Sequence, residues 1–338
     1  MIRRLLRLLF AAVLLATTAG SASRADQFLV SSEDGRIFSF NVTAGANNTF
    51  TASTPSTIVD LGRGAAPDGL AFGPNGALYA TDLAAGSVLR FNFNGGVASA
   101  PETIVSRGAG GPAYPFQIAF IPAGQPRAGN FLITDYTGNR VQEYQSNGTL
   151  VGTYASGGTL SAPTGLAFDP AGNLYVASSL NDRILQVGPG GGSLSVFVPN
   201  DVQRPSQLAY VNNFLYVAGF GGEGLIRGIE RLTISGGVVT AGAGRFFDDG
   251  TMPSGIGVDS SGLVLVSDHA NARMLVFSGD LNTALGSFAL PSGSRPMTIV
   301  RVPSGVNISP VPEPSTLALT GIGLALVGGI RRRRSLAS

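Results

Sequence analysis

Few side chains in this sequence could do chemistry, and their spacing indicates where each one stands. There is one histidine, His269, and no cysteine. A thiol nucleophile, a disulfide and a thiolate metal site are therefore excluded. As a general base, His269 would need an orienting acid and a nearby nucleophile, and nothing in the sequence picks these out. It follows Asp268 where sister segments place Tyr136 and Ser179, so a surface-loop position is expected. Asp82, Asp135 and Asp268 recur at equivalent points and could form an acidic rim for a cation or for sugar hydroxyls. Repetition favours a structural device instead, with Asp135 fastened to Arg140 and Asp268 to Arg273, because a binding site needs different groups from different repeats. A further carboxylate, Asp68, occupies the middle of Pro67-Asp68-Gly69.

The phrase containing Asp68 recurs as Pro163-Thr164-Gly165 and Pro253-Ser254-Gly255, each leading into a short apolar run, with looser copies from Pro115, Pro205 and Pro296. A period in the forties filled with short strands predicts an all-β six-bladed β-propeller with four strands per blade. Pro in the turns presets φ and Gly tolerates positive φ, while the segments between are rich in β-formers. In the third repeat the outer strand is expected over Ser193 to Val198. The copy at Pro296 supplies only an inner strand. Phe28 to Ser32 and Gly35 to Phe40 match second and third strands, so the ring is expected to close by pairing its two ends. Closure of that kind hides strand edges. Two loops are enlarged, Ile121 to Gly129 in the second blade and Gly219 to Gly224 in the fourth. The Gly-rich stretches near Gly190 and Gly221 read as turns, since neither follows a strand and opens a helix.

The ends of the chain account for its net charge. Residues 1–25 have a basic start, an apolar run and Ser23-Arg24-Ala25, the pattern of a secretory signal peptide. Four consecutive arginines, Arg331, Arg332, Arg333 and Arg334, close an apolar stretch from Leu317 to Ile330. Between Asp26 and Val311 there are 14 Arg and 19 acidic residues, a formal charge of −5. The mature domain is mildly acidic, so nucleic-acid binding has no electrostatic support. The organisation expected is a signal peptide over 1–25, the propeller over 26–303, a linker over 304–311 with Pro303-Ser304-Gly305 flexible, and a targeting tail over 312–334.

That tail, with Pro312-Glu313-Pro314, an apolar span and the arginine cluster in order, closely resembles the PEP-CTERM sorting signal of Gram-negative bacteria. The resemblance implies an exosortase as processing partner, transient residence in the inner membrane through a C-terminal helix, and delivery to the envelope, the surface or the medium. The positive-inside rule agrees, leaving the arginines cytoplasmic and the propeller outside. The blades resemble NHL repeats, on Asp135 to Val141, Ser178 to Ile184 and Asp268 to Met274, and more distantly the gluconolactonase-like propellers. In the latter a divalent metal is held partly by residues in the middle of the Pro-x-Gly turns. Here those positions are Asp68, Phe116, Thr164, Ser206, Ser254 and Met297, with one carboxylate among them, whereas a hard cation wants several oxygen ligands. No cofactor is therefore expected. The expected function is a non-catalytic scaffold binding a protein or an exopolysaccharide, with Asp68, Phe116, Gln117, Phe220 and His269 as candidate contacts. A metal-dependent hydrolase of the gluconolactonase-like class and a purely structural envelope component are the alternatives.

Overall fold

Each Pro-x-Gly phrase opens the inner strand of an antiparallel blade, and the blades follow one another around an axis. Residues 25–108, 110–157, 159–199, 203–221 and 227–309 are described in this computed structural model. The signal peptide, the sorting tail and Gly222 to Gly224 of the fourth-blade loop lie outside them. Among the described residues there are six blade sheets. Their inner strands are Pro67–Phe72, Pro115–Phe120, Pro163–Phe168, Pro205–Val211, Pro253–Val258 and Pro296–Arg301. We number the blades one to six in that order.

The sixth blade joins the two ends of the domain. Pro296–Arg301 pairs with Asp26–Ser32, with Val30 opposite Ile299 and Leu29 opposite Val300. Arg36–Ala44 is the third strand and Ser56–Asp60 the outer one. This is the closure expected from the sequence. In the third blade the outer strand is Ser195–Pro199, later than expected, because Gly192–Ser193 pairs in parallel with the outer strand of the second blade. The enlarged second-blade loop stands between Phe120 and Phe131 as expected.

The core is divided by the blade junctions. Among the described residues there are six apolar clusters, and each is shared by two neighbouring blades. Tyr79, Phe131 and Tyr144 fill the junction of blades one and two. Phe28, Phe40, Met274 and Ile299 fill that of blades five and six. Alternation along each strand sends one side chain to each neighbouring sheet, so every blade is glued on both faces.

The segment after the last strand is not a free linker. The Val302 N–H donates to Gln27 O at 2.8 Å and the Ser309 N–H to Gly96 O at 2.8 Å. Gln27 Nε2 donates to Ile308 O at 3.1 Å, and Ile308 is buried among residues of blades six and one. The domain therefore extends to residue 309. Val302 and Ile308 are the apolar residues that hold the segment, so residues 304–309 of the expected linker are docked on the ring, and residues 310 and 311 lie outside the described residues.

Candidate binding mouth on the Pro-x-Gly face

Inner strands begin, and second strands end, on one face of the ring: Pro67 opposes Asp82, Pro115 opposes Asp135 and Pro253 opposes Asp268. The residue that follows each second strand is Leu83, Tyr136, Ser179, Phe220, His269 or Glu33, going round from blade one to blade six. These form an outer tier around the axis. The inner tier is the middle residue of each Pro-x-Gly turn, from Asp68 to Met297.

Beneath the mouth the blades are clasped by hydroxyls. In the second blade, Thr134 Oγ1 accepts from the Gln117 N–H at 2.8 Å and donates to Thr164 O of blade three at 2.9 Å. Thr81 and Ser267 do the same, reaching Phe116 O and Met297 O, each at 2.6 Å. Ser31 accepts from the Thr298 N–H and donates to Asp68 O. Blades three and four have Ala177 and Ala218 at that position. There the inner tier substitutes, with Thr164 Oγ1 donating to Pro205 O at 2.7 Å and Ser206 Oγ to Ser254 O at 2.8 Å. Each of the junctions is thus closed by a buried hydroxyl.

Close approach at the axis explains the glycines. A Cβ on Gly165 would lie 2.2 Å from Ser206 O, and one on Gly255 would lie 2.0 Å from Met297 O. Even-numbered blades carry Gln117, Gln207 and Thr298 where odd-numbered blades carry Gly69, Gly165 and Gly255. Gln207 crosses to two further blades, accepting from the Ile256 and Ile299 N–H groups at 2.8 and 3.0 Å and donating to Ile299 O at 2.8 Å. Gln117 is buried at 6% exposure and accepts from the Ile118 N–H. It packs the axis beside Gly69, whose Cβ position lies 2.6 Å from Gln117 Oε1. This alternation was present in the sequence as Pro-x-Gly against Pro-x-Gln or, in the sixth blade, Pro-x-Thr.

The mouth has two unlike sides. On one, the rings of Tyr114, Phe116 and Tyr136 cluster with centroids 5.1 to 6.0 Å apart. Tyr114 is 38% exposed, and Phe116 and Tyr136 are half-buried. Phe116 thus stands where a ligand could meet it, and Tyr114 and Tyr136, which were not among the candidate contacts, join it there. On the other side, His269 Nε2 meets Glu33 Oε2 at 3.1 Å, and Arg295 Nε lies 3.4 Å from the same oxygen. His269 stands in the loop after the second strand as expected but is only 8% exposed, because Glu33 and the Phe220 ring, perpendicular to it with centroids 5.9 Å apart, enclose it. The His269 hydrogen bond, above all, holds the Glu33 carboxyl below its usual range.

Asp68 lies deeper, at 3% exposure. Thr298 Oγ1 donates to its Oδ1 at 3.3 Å, while Oδ2 has no hydrogen-bond partner among the described residues. Burial first, and the Glu33 charge second, push this carboxyl well above its usual range. Among the described residues, no three His, Asp or Glu side chains come together as a metal-holding group.

The recurring carboxylates serve the backbone. Asp82 accepts from the Ala66 and Ala84 N–H groups, Asp135 from Tyr114 and Gly138, and Asp268 from Met252. Arg140 reaches Asp135 at 3.1 Å and Arg273 reaches Asp268 at 2.8 Å. All three are buried, so they staple each blade's own loops and do not form an acidic rim.

Comparison with known proteins agrees with this architecture. Residues 310–334 match the PEP-CTERM protein-sorting motif and residues 251–277 match the NHL repeat. No curated protein matches the chain. Among solved structures, a chain of the nidogen/laminin complex is 18% identical, with a TM-score of 0.66, covering 82% of this chain and 99% of that one. Selenomethionine-substituted virginiamycin B lyase from Staphylococcus aureus is 15% identical, with a TM-score of 0.53, covering 81% and 87%. A catalytically inactive H270A form of that lyase with quinupristin is 16% identical, with a TM-score of 0.53, covering 82% and 90%. At such identities the likeness concerns the fold. The sorting motif implies an exported protein processed by an exosortase. The chain is a six-bladed β-propeller with an NHL repeat in its fifth blade and a PEP-CTERM protein-sorting motif at its C-terminal end.

Proposed function

We propose that the propeller is a non-catalytic binding domain whose Pro-x-Gly mouth takes an exopolysaccharide at the cell envelope. The observation that carries this reading is the pairing of an aromatic platform with a charged wall at one mouth. Tyr114, Phe116 and Tyr136 offer ring faces for the apolar side of a pyranose. Beside the platform Asp68 of blade one, and further round the ring Glu33 and Arg295 of blade six, offer acceptors and a donor for its hydroxyls. The signal peptide, the membrane-crossing tail and final placement outside the inner membrane belong to the same proposal.

A protein partner and a metal-dependent hydrolase are its competitors. The nidogen/laminin complex supports the first in principle, since it places a propeller of this fold in a protein assembly. The unpartnered Asp68 oxygen is what favours the second, although Glu33 is engaged by His269 and Arg295. The experiment is calorimetric titration of the purified domain with exopolysaccharide from its host, and separately with Ca²⁺ and Zn²⁺. Binding of the polysaccharide that Phe116→Ala weakens at least tenfold supports the reading. Stoichiometric metal binding abolished by Asp68→Ala would replace it with the hydrolase, and silence in both titrations would leave a structural component or a protein binder.

A further inference from the structure

The face that a tethered propeller shows to its surroundings depends on where the chain leaves the domain and how much slack follows. Inner strands end and second strands begin on the face opposite the mouth, so Arg301 and Asp26 both stand there. The same face carries the hairpin of Phe93–Asn94 and Val97–Ala98, which joins the third strand of blade one, Ser87–Phe91, to its outer strand, Glu102–Val105. Residues 302–309 cross this face as a strap, from blade six to that hairpin. Val302 and Ile308 are buried, the Val306 N–H closes a turn on Pro303 O at 3.2 Å, and the Ser309 N–H donates to Gly96 O. Gly96, at a φ of +89°, lets the strap come close: a Cβ there would lie 2.5 Å from Ser309 Oγ.

Docking removes slack. From Ser309, eight residues lead to Leu317, where the apolar stretch begins, and even fully extended they reach about 26–29 Å. Counted from Val302, the same path is fifteen residues and about 50–54 Å. A globule the size of residues 26–309 has a radius of gyration of about 19 Å, hence an outer radius of about 24 Å, and the arc from the centre of one face to the centre of the other is about 75 Å. The docked tether covers well under half of that arc, so it is too short to turn the mouth to a bilayer. A tether freed back to Val302 covers about two-thirds. Beside the strap lies an open cavity of about 540 Å³ lined by Asn75, Asn92, Asn94 and Asn307, with no charged side chain. Such a hydrated, uncharged surface is not repelled by an anionic leaflet, so nothing there opposes the tether.

We propose, on the reading above that the tail crosses the inner membrane, that the strap holds the face opposite the mouth against the periplasmic leaflet. Before processing, the mouth then points away from the membrane, toward the polysaccharide.

The test uses the full chain in a host strain lacking exosortase, where the tail stays attached, and lacking the exopolysaccharide, so that nothing covers the mouth. Because the chain has no cysteine, a single introduced thiol reports only on its own surroundings. Thr137→Cys lies in the exposed turn after Asp135 on the mouth face, and Asn94→Cys in the exposed hairpin on the opposite one. A bulky, membrane-impermeant maleimide added to spheroplasts should label Thr137→Cys at least fivefold faster than Asn94→Cys. The two should react alike once detergent dissolves the membrane. Inserting sixteen Gly and Ser residues between Pro310 and Val311 lengthens the tether without altering the strap, and should bring the two rates within twofold. Equal rates at the natural length, or a difference that survives the insertion or the detergent, would overturn the proposal and leave the membrane reading of the tail standing. Recovery of the unprocessed chain in the soluble fraction would overturn both.

Discussion

The clasp beneath the mouth and the mouth itself are a few ångströms apart and built on opposite principles. In the clasp, the same bond recurs at each junction: a buried hydroxyl donates to the next blade's carbonyl, and Thr81, Thr134, Ser267 and Ser31 also accept an N–H. In the mouth, the equivalent position holds Leu83, Tyr136, Ser179, Phe220, His269 or Glu33, with no residue repeated. Repetition is what a ring needs for closure, because every junction has the same geometry to satisfy. Diversity is what a ligand needs, because its two sides are different. Within one repeat, the position that varies most in chemistry is therefore the one to connect with recognition.

The comparison breaks first at the axis. Gly255→Ala drives a Cβ into Met297 O, a backbone atom that cannot step aside, and should cost about 3 kcal/mol. Gly188→Ala, with nothing within 4 Å of its Cβ position, should be near neutral. Urea denaturation of the two variants separates them, and equal midpoints would show that the junction is softer than its geometry implies. Thr134→Val comes next. It keeps the shape but leaves the buried Gln117 N–H and Thr164 O without their hydroxyl, for a loss of about 2 kcal/mol.

Asp68 sharpens the contrast from the other direction. Its folded-state pKa lies above the unfolded value, so its favourable contribution is present below about pH 3.8 and is lost as pH rises through the folded value. Asp68→Asn should thus raise stability at pH 7 and give no gain in acid, a difference read from urea midpoints at the two pH values. The proposed ligand affinity should fall in the same variant, the signature of a group kept for binding at a cost to the fold. Glu33 titrates with the opposite sign. Its lowered pKa stabilises the fold above about pH 4.5 and is lost as pH falls through the folded value, so Glu33→Gln should flatten the acid limb of the melting curve. The smallest effect on stability belongs to the rim. Tyr136→Ala should change the melting free energy by less than about 1 kcal/mol while removing most retention of the polysaccharide. A large loss of stability there would mean that the aromatic cluster is core and not platform.

Much of the architecture was legible in the chain. The Pro-x-Gly period, the strand composition between turns and the unmatched halves at Phe28 and Pro296 are local or periodic signals; they carry blade number because five blades fold from contiguous residues, and closure because the sixth is left as two halves. The stapling role of Asp82, Asp135 and Asp268 was legible too, through simple recurrence. The tail's three ordered parts identified the sorting motif without any structure, since such a signal lies in the order of its residues along the chain.

Other features depended on the tertiary structure. That His269 is enclosed by Glu33, that Arg295 shares the same oxygen, and that Tyr114 and Tyr136 flank Phe116 all require distant segments to meet at one end of the ring. So do the burial of Gln117 and the docking of Ile308 against blades six and one. Sequence by itself determined the repeat, the ring and the address, because these follow from the order of residues within a blade. The tertiary structure alone decided which side chains share the mouth, because ring closure brings together residues more than two hundred positions apart, such as Glu33 and His269.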